Sequence, residues 1–240
     1  MSHLRGFYVR RLMTIVGLFA SIAGPWAAQT HAQSPTPAAP PAASDDSAAS
    51  PIDGVAARIE DDVILESDVH ELAAFQVLSD GQAKPRNELI RELADQWIVR
   101  GEANTAKFAF PSSDEIENAY RQFVKQFPSP EEFQKRLTAA DLTEAAVKRI
   151  LAQQLYLAHF LEYRFRAAAQ IGDEEVEKYY NDEFAPQLKA RNETVPPLED
   201  VEDTIREVLI QRAINERAEK WLEDTRQRLR IDIVADRSGS

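Results

Sequence analysis

The sequence predicts a mainly helical chain with one small β-sheet, and three observations carry that expectation. Glycine is scarce, 8 residues against 13 prolines, which leaves little material for tight hairpins or phosphate-cradling loops. From Asn87 onward apolar residues recur at three- and four-residue spacing, punctuated by Ser followed three positions later by Glu, the pattern of capped amphipathic helices. Two β-rich segments, residues 55–65 and 231–234, stand at the two ends of the folded region. A lone strand leaves its backbone groups unpaired. The economical arrangement therefore adds the C-terminal strand to an N-terminal hairpin.

The first 32 residues read as a secretory signal. Arg5, Arg10 and Arg11 form a positive start, residues 12–24 an apolar stretch too short to span a bilayer core of about 30 Å comfortably, and Thr30-His31-Ala32 a cleavage site after Ala32. Arg10-Arg11 leaves open whether the general or the twin-arginine route is used. Residues 33–51 are rich in Pro, Ala and Ser and read as a flexible tether. The folded part is expected over 52–235, as a helical module (52–170) and a C-terminal helix and strand (171–235) packing back on it, with 236–240 a tail.

Within that part, Val55-Ala56-Ala57-Arg58-Ile59 and Val63-Ile64-Leu65 flank an acidic turn, Glu60-Asp61-Asp62, and predict the hairpin. Ser67 is the expected N-cap of a helix from Asp68 to about Leu78, stopped before Asp80-Gly81. Leu89, Ile90, Leu93, Trp97, Ile98 and Phe108 trace a helix over 87–108, which Pro111 ends. Ser112 with Glu115 makes a capping box for a stripe of Ile116, Ala119, Tyr120, Phe123, Val124 and Phe127. Ser129 with Glu132 repeats it for a short helix carrying Phe133 and Leu137.

Thr143 opens a long helix to about Ala169, apolar on more than half its circumference, as expected of a helix buried between neighbours or lining a groove. Asp173 starts a helix bearing Val176, Tyr179 and Tyr180. A polar stretch follows, and after Val195-Pro196-Pro197 one last helix runs to about Leu229.

The charge excludes some partners. The formal net charge is −12, and removing the first 32 residues, with three cations and no acid, leaves 25 cations against 40 acids, or −15. Such a surface repels phosphate backbones and anionic lipid, so neither nucleic acid nor stable membrane insertion after signal cleavage is expected. There is no cysteine, hence no disulfide, thiol nucleophile or thiolate metal site. His70 and His159 fall in no metal-ligand spacing, and GxSxG, GxGxxG and GxxxxGK[ST] are absent. The acidic clusters sit at a turn and at helix starts, where carboxylates complement the helix dipole. The expectation is a non-enzyme without cofactor or metal.

What remains is apolar surface. Phe75, Trp97, Phe123, Phe127, Tyr179 and Trp221 belong to stripes that something must cover. Ordinary core accounts for each of them singly. As a set they are the candidate lining of a groove for extended, unfolded polypeptide, since aromatic anchors grip many side chains without reading sequence.

The order of these motifs resembles the N-terminal domain of the SurA-type periplasmic chaperones, a peptide-binding fold shared in outline with trigger factor. The hairpin leading into Ser67-Asp68-Val69 resembles the start of that domain. Pro111-Ser112-Ser113-Asp114-Glu115-Ile116 and Ser129-Pro130-Glu131-Glu132-Phe133 are similar to its next helix starts. Asp173-Glu174-Glu175-Val176-Glu177-Lys178-Tyr179-Tyr180 resembles the segment that leads into the family's parvulin isomerase domain, and Leu198-Glu199-Asp200-Val201 through Trp221-Leu222 its returning C-terminal helix.

Two departures stand out. The hairpin turn is Glu60-Asp61-Asp62 where the family uses Asn-Gly. Only a short stretch separates Tyr180 from Val195, too little for an isomerase domain of ~100 residues. The resemblance therefore implies an ATP-independent periplasmic holdase for unfolded exported proteins, chiefly outer-membrane precursors, without isomerase activity. The competing expectation is an envelope scaffold that grips one folded partner.

Overall fold

Val55–Ile59 (β1) and Asp62–Leu65 (β2) pair antiparallel, and Ile231–Ile233 (β3) joins the other edge of β1. The sheet order is β2-β1-β3, with Ala57 opposite Ile233, Arg58 opposite Asp232 and Ile59 opposite Ile231. The two ends of the folded region thus meet, as the pairing argument requires. This computed structural model describes residues 53–235; the expected export segment, tether and tail lie outside the described residues. A bulge between Val55 and Ala57 lets two consecutive residues, Ala56 and Ala57, both point into the core. The hairpin turns through Glu60, held at φ 51° where Gly or Asn is the usual occupant. Its carboxylate accepts a hydrogen bond from the Arg230 amide at 2.7 Å, which ties the turn to the entrance of β3.

The helix after the hairpin starts earlier than predicted. It spans Glu66–Asp80 (α1), with Leu65 at the N-cap and its amide donating to Asp68 Oδ2 at 3.0 Å. Ser67 lies inside the first turn and binds Asp53 instead. Gly81, at φ 79°, closes the helix. Arg86–Thr105 (α2), Ser113–Val124 (α3), Pro130–Ala139 (α4) and Glu144–Phe165 (α5) follow. The Ser112–Glu115 box forms in full, and Ser129 and Thr143 accept from Glu132 and Ala146 amides as N-caps. In the second of these, Glu132 turns away to pair with Arg136. Helix α5 stops at Phe165 and tightens into a 3₁₀ turn over Arg166–Ala168.

Glycine scarcity has a visible consequence. Lys107, Asp141 and Asn192 occupy the left-handed region at φ 52°, 53° and 56°. In each case the next amide reaches back five residues, as Phe108 does to the Ala103 carbonyl at 2.9 Å. These are Schellman closures made without glycine. The first ends α2 at Thr105, short of the predicted Phe108.

Asp173–Tyr179 (α6) runs into a π turn at Tyr180–Phe184 and a short helix, Ala185–Ala190 (α7), where the sequence reading names only a polar stretch after Tyr180. Leu198–Arg226 (α8) is 29 residues, about 43 Å.

Three clusters make the core. One sits under the sheet: Ile59, Ile64, Val69, Leu72, Leu89 and Ile90 join β1, β2, α1 and α2. A second fills the space among α1, α3, α4 and the first half of α5 with Phe75, Leu78, Tyr120, Phe123, Phe133 and Leu151. The third joins α2, the second half of α5 and α8 through Ile98, Leu157, Phe160, Leu161, Ile214 and Leu222. Helix α5 therefore runs through two cores, which explains why its sequence is apolar on so many sides.

The C-terminal end of α8 is anchored by charge as well as by packing. Arg226 grips Asp95 of α2 at 2.6 and 2.7 Å and Glu223 at 2.9 Å. Burial pushes the Asp95 carboxyl up to about 6, against the pull of Arg226, and Glu92 and Glu223 add repulsion in the same upward direction. Beyond α8, Arg86 donates to the Val234 carbonyl at 3.0 Å and pairs with Glu66, tying the last strand to α1 and α2.

Candidate functional site

The six aromatics expected to line a groove do not share one surface. Phe75 and Phe123 are core residues, 5% and 4% exposed. Their rings stack at 5.4 Å, and Phe127 and Phe133 meet Phe123 edge-on at 5.4 and 6.3 Å. The α3 stripe that suggested a groove is covered by α4 and α5, so Phe75 and Phe123 are closed to any client in this conformation. Phe127 is half-buried at the rim of the same cluster, with Arg136 5.7 Å from its ring.

The other three are half-buried and individually capped. The Trp97 indole N–H donates to Asp62 Oδ2 at 2.8 Å and its ring bridges the sheet cluster and the α5–α8 cluster. Tyr179 lies under the Arg212 guanidinium, 4.6 Å away, which the π turn supports by presenting Glu183 at 2.9 Å. Trp221 packs on Phe165 at 5.9 Å beneath Arg164 at 4.7 Å. Such cation–π lids stabilise the rings while leaving part of each in water.

A different aromatic group is open. Phe110 and Tyr163 are 57% and 69% exposed, the two most exposed large hydrophobic side chains among the described residues. They stand on a row of rings: Phe110 on Tyr156 at 5.2 Å, Tyr156 on Phe108 at 6.0 Å, and Phe108 on Tyr163 at 5.4 Å. Phe160 supports Phe108 edge-on from the core at 5.6 Å.

Local structure sets this ledge. The Schellman turn at Lys107 swings Phe108 back over α5. The Tyr156 hydroxyl, donating to Asn104 Oδ1 at 3.1 Å and lying 3.5 Å from the Phe108 carbonyl, holds the α2–α3 connection down. Buried Pro111 then anchors the far side of the connection. The result is a two-ring step on a packed, hydrogen-bonded base.

Sequence reasoning passed over both exposed rings, though each carried a signal. Tyr163 sits between Glu162 and Arg164 on the polar side of α5, where a large ring has no core to enter. Phe110 lies in a connection, immediately before Pro111.

Among the described residues no cluster of three or more His, Cys, Asp or Glu side chains is placed to hold a metal, and no helix is long and apolar enough to cross a membrane. His70 is exposed on α1 and His159 half-buried on α5. Comparison with models of known protein families returns no match, and comparison with curated proteins returns none.

Proposed function

We propose that this chain is an ATP-independent holdase of the periplasm that shields unfolded exported polypeptides, outer-membrane precursors above all, without isomerase activity. The observation that carries the reading is the ledge: two exposed aromatic rings, Phe110 and Tyr163, on a base of packed and hydrogen-bonded side chains. Monomeric proteins seldom leave such rings uncovered without use. Rings that already rest on other rings offer contact to many side chains at small entropic cost.

The rest of the chain suits the role. Its negative charge keeps it soluble beside sticky clients. ATP independence follows from the absence of a phosphate-binding loop motif, and isomerase silence from the short stretch after Tyr180. The order of helix starts resembles the chaperone domain described above, and α8 with β3 returns to pack on α2, α5 and β1, as that resemblance implies.

Light scattering of a refolding outer-membrane protein, with and without equimolar chaperone, tests the reading. The chaperone is expected to delay aggregation with micromolar affinity for the client, about −8 kcal/mol. Phe110→Ser with Tyr163→Ser should abolish most of the delay while leaving the unfolding free energy in urea within about 0.5 kcal/mol of the parent, because both side chains are exposed. No delay by the unmodified protein, combined with tight capture of one folded partner, would replace the holdase with a scaffold.

A further inference from the structure

The two edges of the sheet differ. At β2 the Leu65 amide already donates to Asp68 and the chain turns into α1 at the next residue, so little strand is left to extend. At β3 no strand among the described residues lies on the side away from β1. The Val234 amide donates to the Ala56 carbonyl at 2.9 Å, and the Arg230 carbonyl accepts from the Glu60 amide at 3.1 Å. Residues 230, 232 and 234 thus turn their backbone groups toward β1. By the alternation of an antiparallel ladder, Ile231 and Ile233 turn theirs outward.

Side chains at this edge continue both faces of the sheet. Ile231 rests on the sheet cluster, whereas Ile233, on the same side of the strand, is 40% exposed. On the opposite face, exposed Asp232 stands beside Arg58, its partner in register, and Arg230 is exposed two positions earlier. None of these three has an ion-pair partner among the described residues. A charge in the middle of an edge ordinarily keeps one sheet from pairing with another. The obstacle becomes an attraction when the incoming strand sets a cation opposite it.

A second copy of this chain does so in one register. Two β3 strands meeting antiparallel about a two-fold axis bond only through outward-facing residues, so odd-numbered residues must face odd-numbered ones. With the axis at Asp232 the two aspartates oppose each other, and with the axis at Arg230 the two arginines do. With the axis at Ile233, Asp232 faces Val234 and gains nothing. Only with the axis at Ile231 does Asp232 of each copy face Arg230 of the other, while the two Ile231 side chains meet on the apolar face.

We infer that this chain forms a two-fold dimer through its β3 edges, joining two three-stranded sheets into one of six strands centred on Ile231. The net negative charge of each copy repels the other at a distance, but physiological salt screens that beyond about 8 Å, whereas the Asp232–Arg230 pairs act in contact. So short an edge buries less than the ~1,200 Å² of a standard interface, which makes the dimer weak, with Kd on the order of 100 μM. The dimer leaves both ledges open. Arg86 at the start of α2 bonds to Val234 beside the edge, and the ledge lies beyond the other end of that helix, about 30 Å away along its 20 residues. The pairing stands on strand geometry and charge alone; that two ledges would grip one client by avidity rests on the holdase reading.

Sedimentation equilibrium of the whole protein from about 10 to 500 μM should show a monomer–dimer equilibrium. Arg230→Asp and Asp232→Arg should each weaken it roughly tenfold or more, because each sets like charges opposite one another at both contacts. An equimolar mixture of the two variants should recover the dimer as a heterodimer, since Asp then faces Arg at both. Thermal melting checks that each variant is folded, and a cysteine comparison decides the matter should either fail. The chain has no cysteine of its own. Ile231→Cys brings two thiols together at the axis, where the Cα atoms of a hydrogen-bonded pair stand about 5.5 Å apart, a separation a disulfide spans. It should form an intermolecular disulfide at least tenfold faster than Val63→Cys, although Val63 on the other edge is 45% exposed. A single monomeric species over the whole range, a dimer indifferent to Arg230→Asp, a mixture that stays monomeric, or Asp232→Cys oxidising faster than Ile231→Cys would each overturn the inference. No client enters any of these readouts, so a failed aggregation assay leaves them intact.

Discussion

Asp95 offers a sharp test of how α8 is held. Its carboxyl is raised to about 6 from an ordinary 3.8, because burial penalises the charge more than the Arg226 guanidinium rewards it. A carboxyl with a raised folded pKa binds its proton more tightly when folded, so its contribution to stability is fully present below about pH 4. It is lost as pH rises through 6. The two-decade difference in proton affinity, at about 1.4 kcal/mol per decade, amounts to about 3 kcal/mol. The side chain is 20% exposed, so solvent screening trims this only modestly.

Urea unfolding of the unmodified protein and of Asp95→Asn, at intervals from pH 4 to 7.5, isolates the effect. The half-buried carboxylates held low by their partners, Glu117 by Lys148 and Glu132 by Arg136, titrate in both proteins and cancel in the difference. The stability of the unmodified protein relative to Asp95→Asn should fall by about 2–3 kcal/mol over this range, mostly between pH 4 and 6.5. A difference flat in pH would refute the reasoning. So would one that grows with pH, which would mean that the Arg226 pair outweighs burial.

Three further outcomes are expected. Truncation after Arg226 removes β3 and the Val234 carbonyl that Arg86 holds, so hydrogen exchange in β1 and α1 should accelerate together; a truncated protein that melts cooperatively at the parent temperature would contradict the closure. Lys107→Gly relieves a left-handed residue and should raise stability by about 0.5–1 kcal/mol in urea unfolding, with no change in the slope. N-terminal sequencing of the exported protein should begin at Gln33, and recovery of Met1 in a membrane fraction would remove the periplasmic reading.

Much of this molecule is written in short-range chemistry. Ser112, Ser129 and Thr143 cap their helices because a hydroxyl three residues from a free amide satisfies it wherever the helix later packs. Periodicity marked each of the longer helices, and the need to pair a stray strand was enough to join residues 231–234 to the N-terminal hairpin, though not to say that they would take the β1 edge. Local reasoning went astray where two local signals competed. Ser67 is a good cap in isolation, but Asp68 captures the Leu65 amide first, and Ser67 is drawn to Asp53. The π turn and α7 were not foreseen, since the Glu183–Arg212 pair that supports them reaches across to α8.

The fate of each aromatic ring was a tertiary decision. An apolar stripe states that a face must be covered and says nothing about what covers it. Phe123 and Phe110 are both phenylalanines near helix ends, 13 positions apart. Phe123 is sealed by Phe75, Phe127 and Phe133, which arrive from α1, the α3–α4 connection and α4. Phe110 receives a single ring, Tyr156, from beneath and nothing from above among the described residues. The helices, their caps and the need for a closing strand follow from neighbours within four residues or from backbone pairing, and so can be read along the chain. Which rings form the core and which remain in water depends on helices far apart in the chain arriving on one side of α5 and leaving the other side bare, and so cannot.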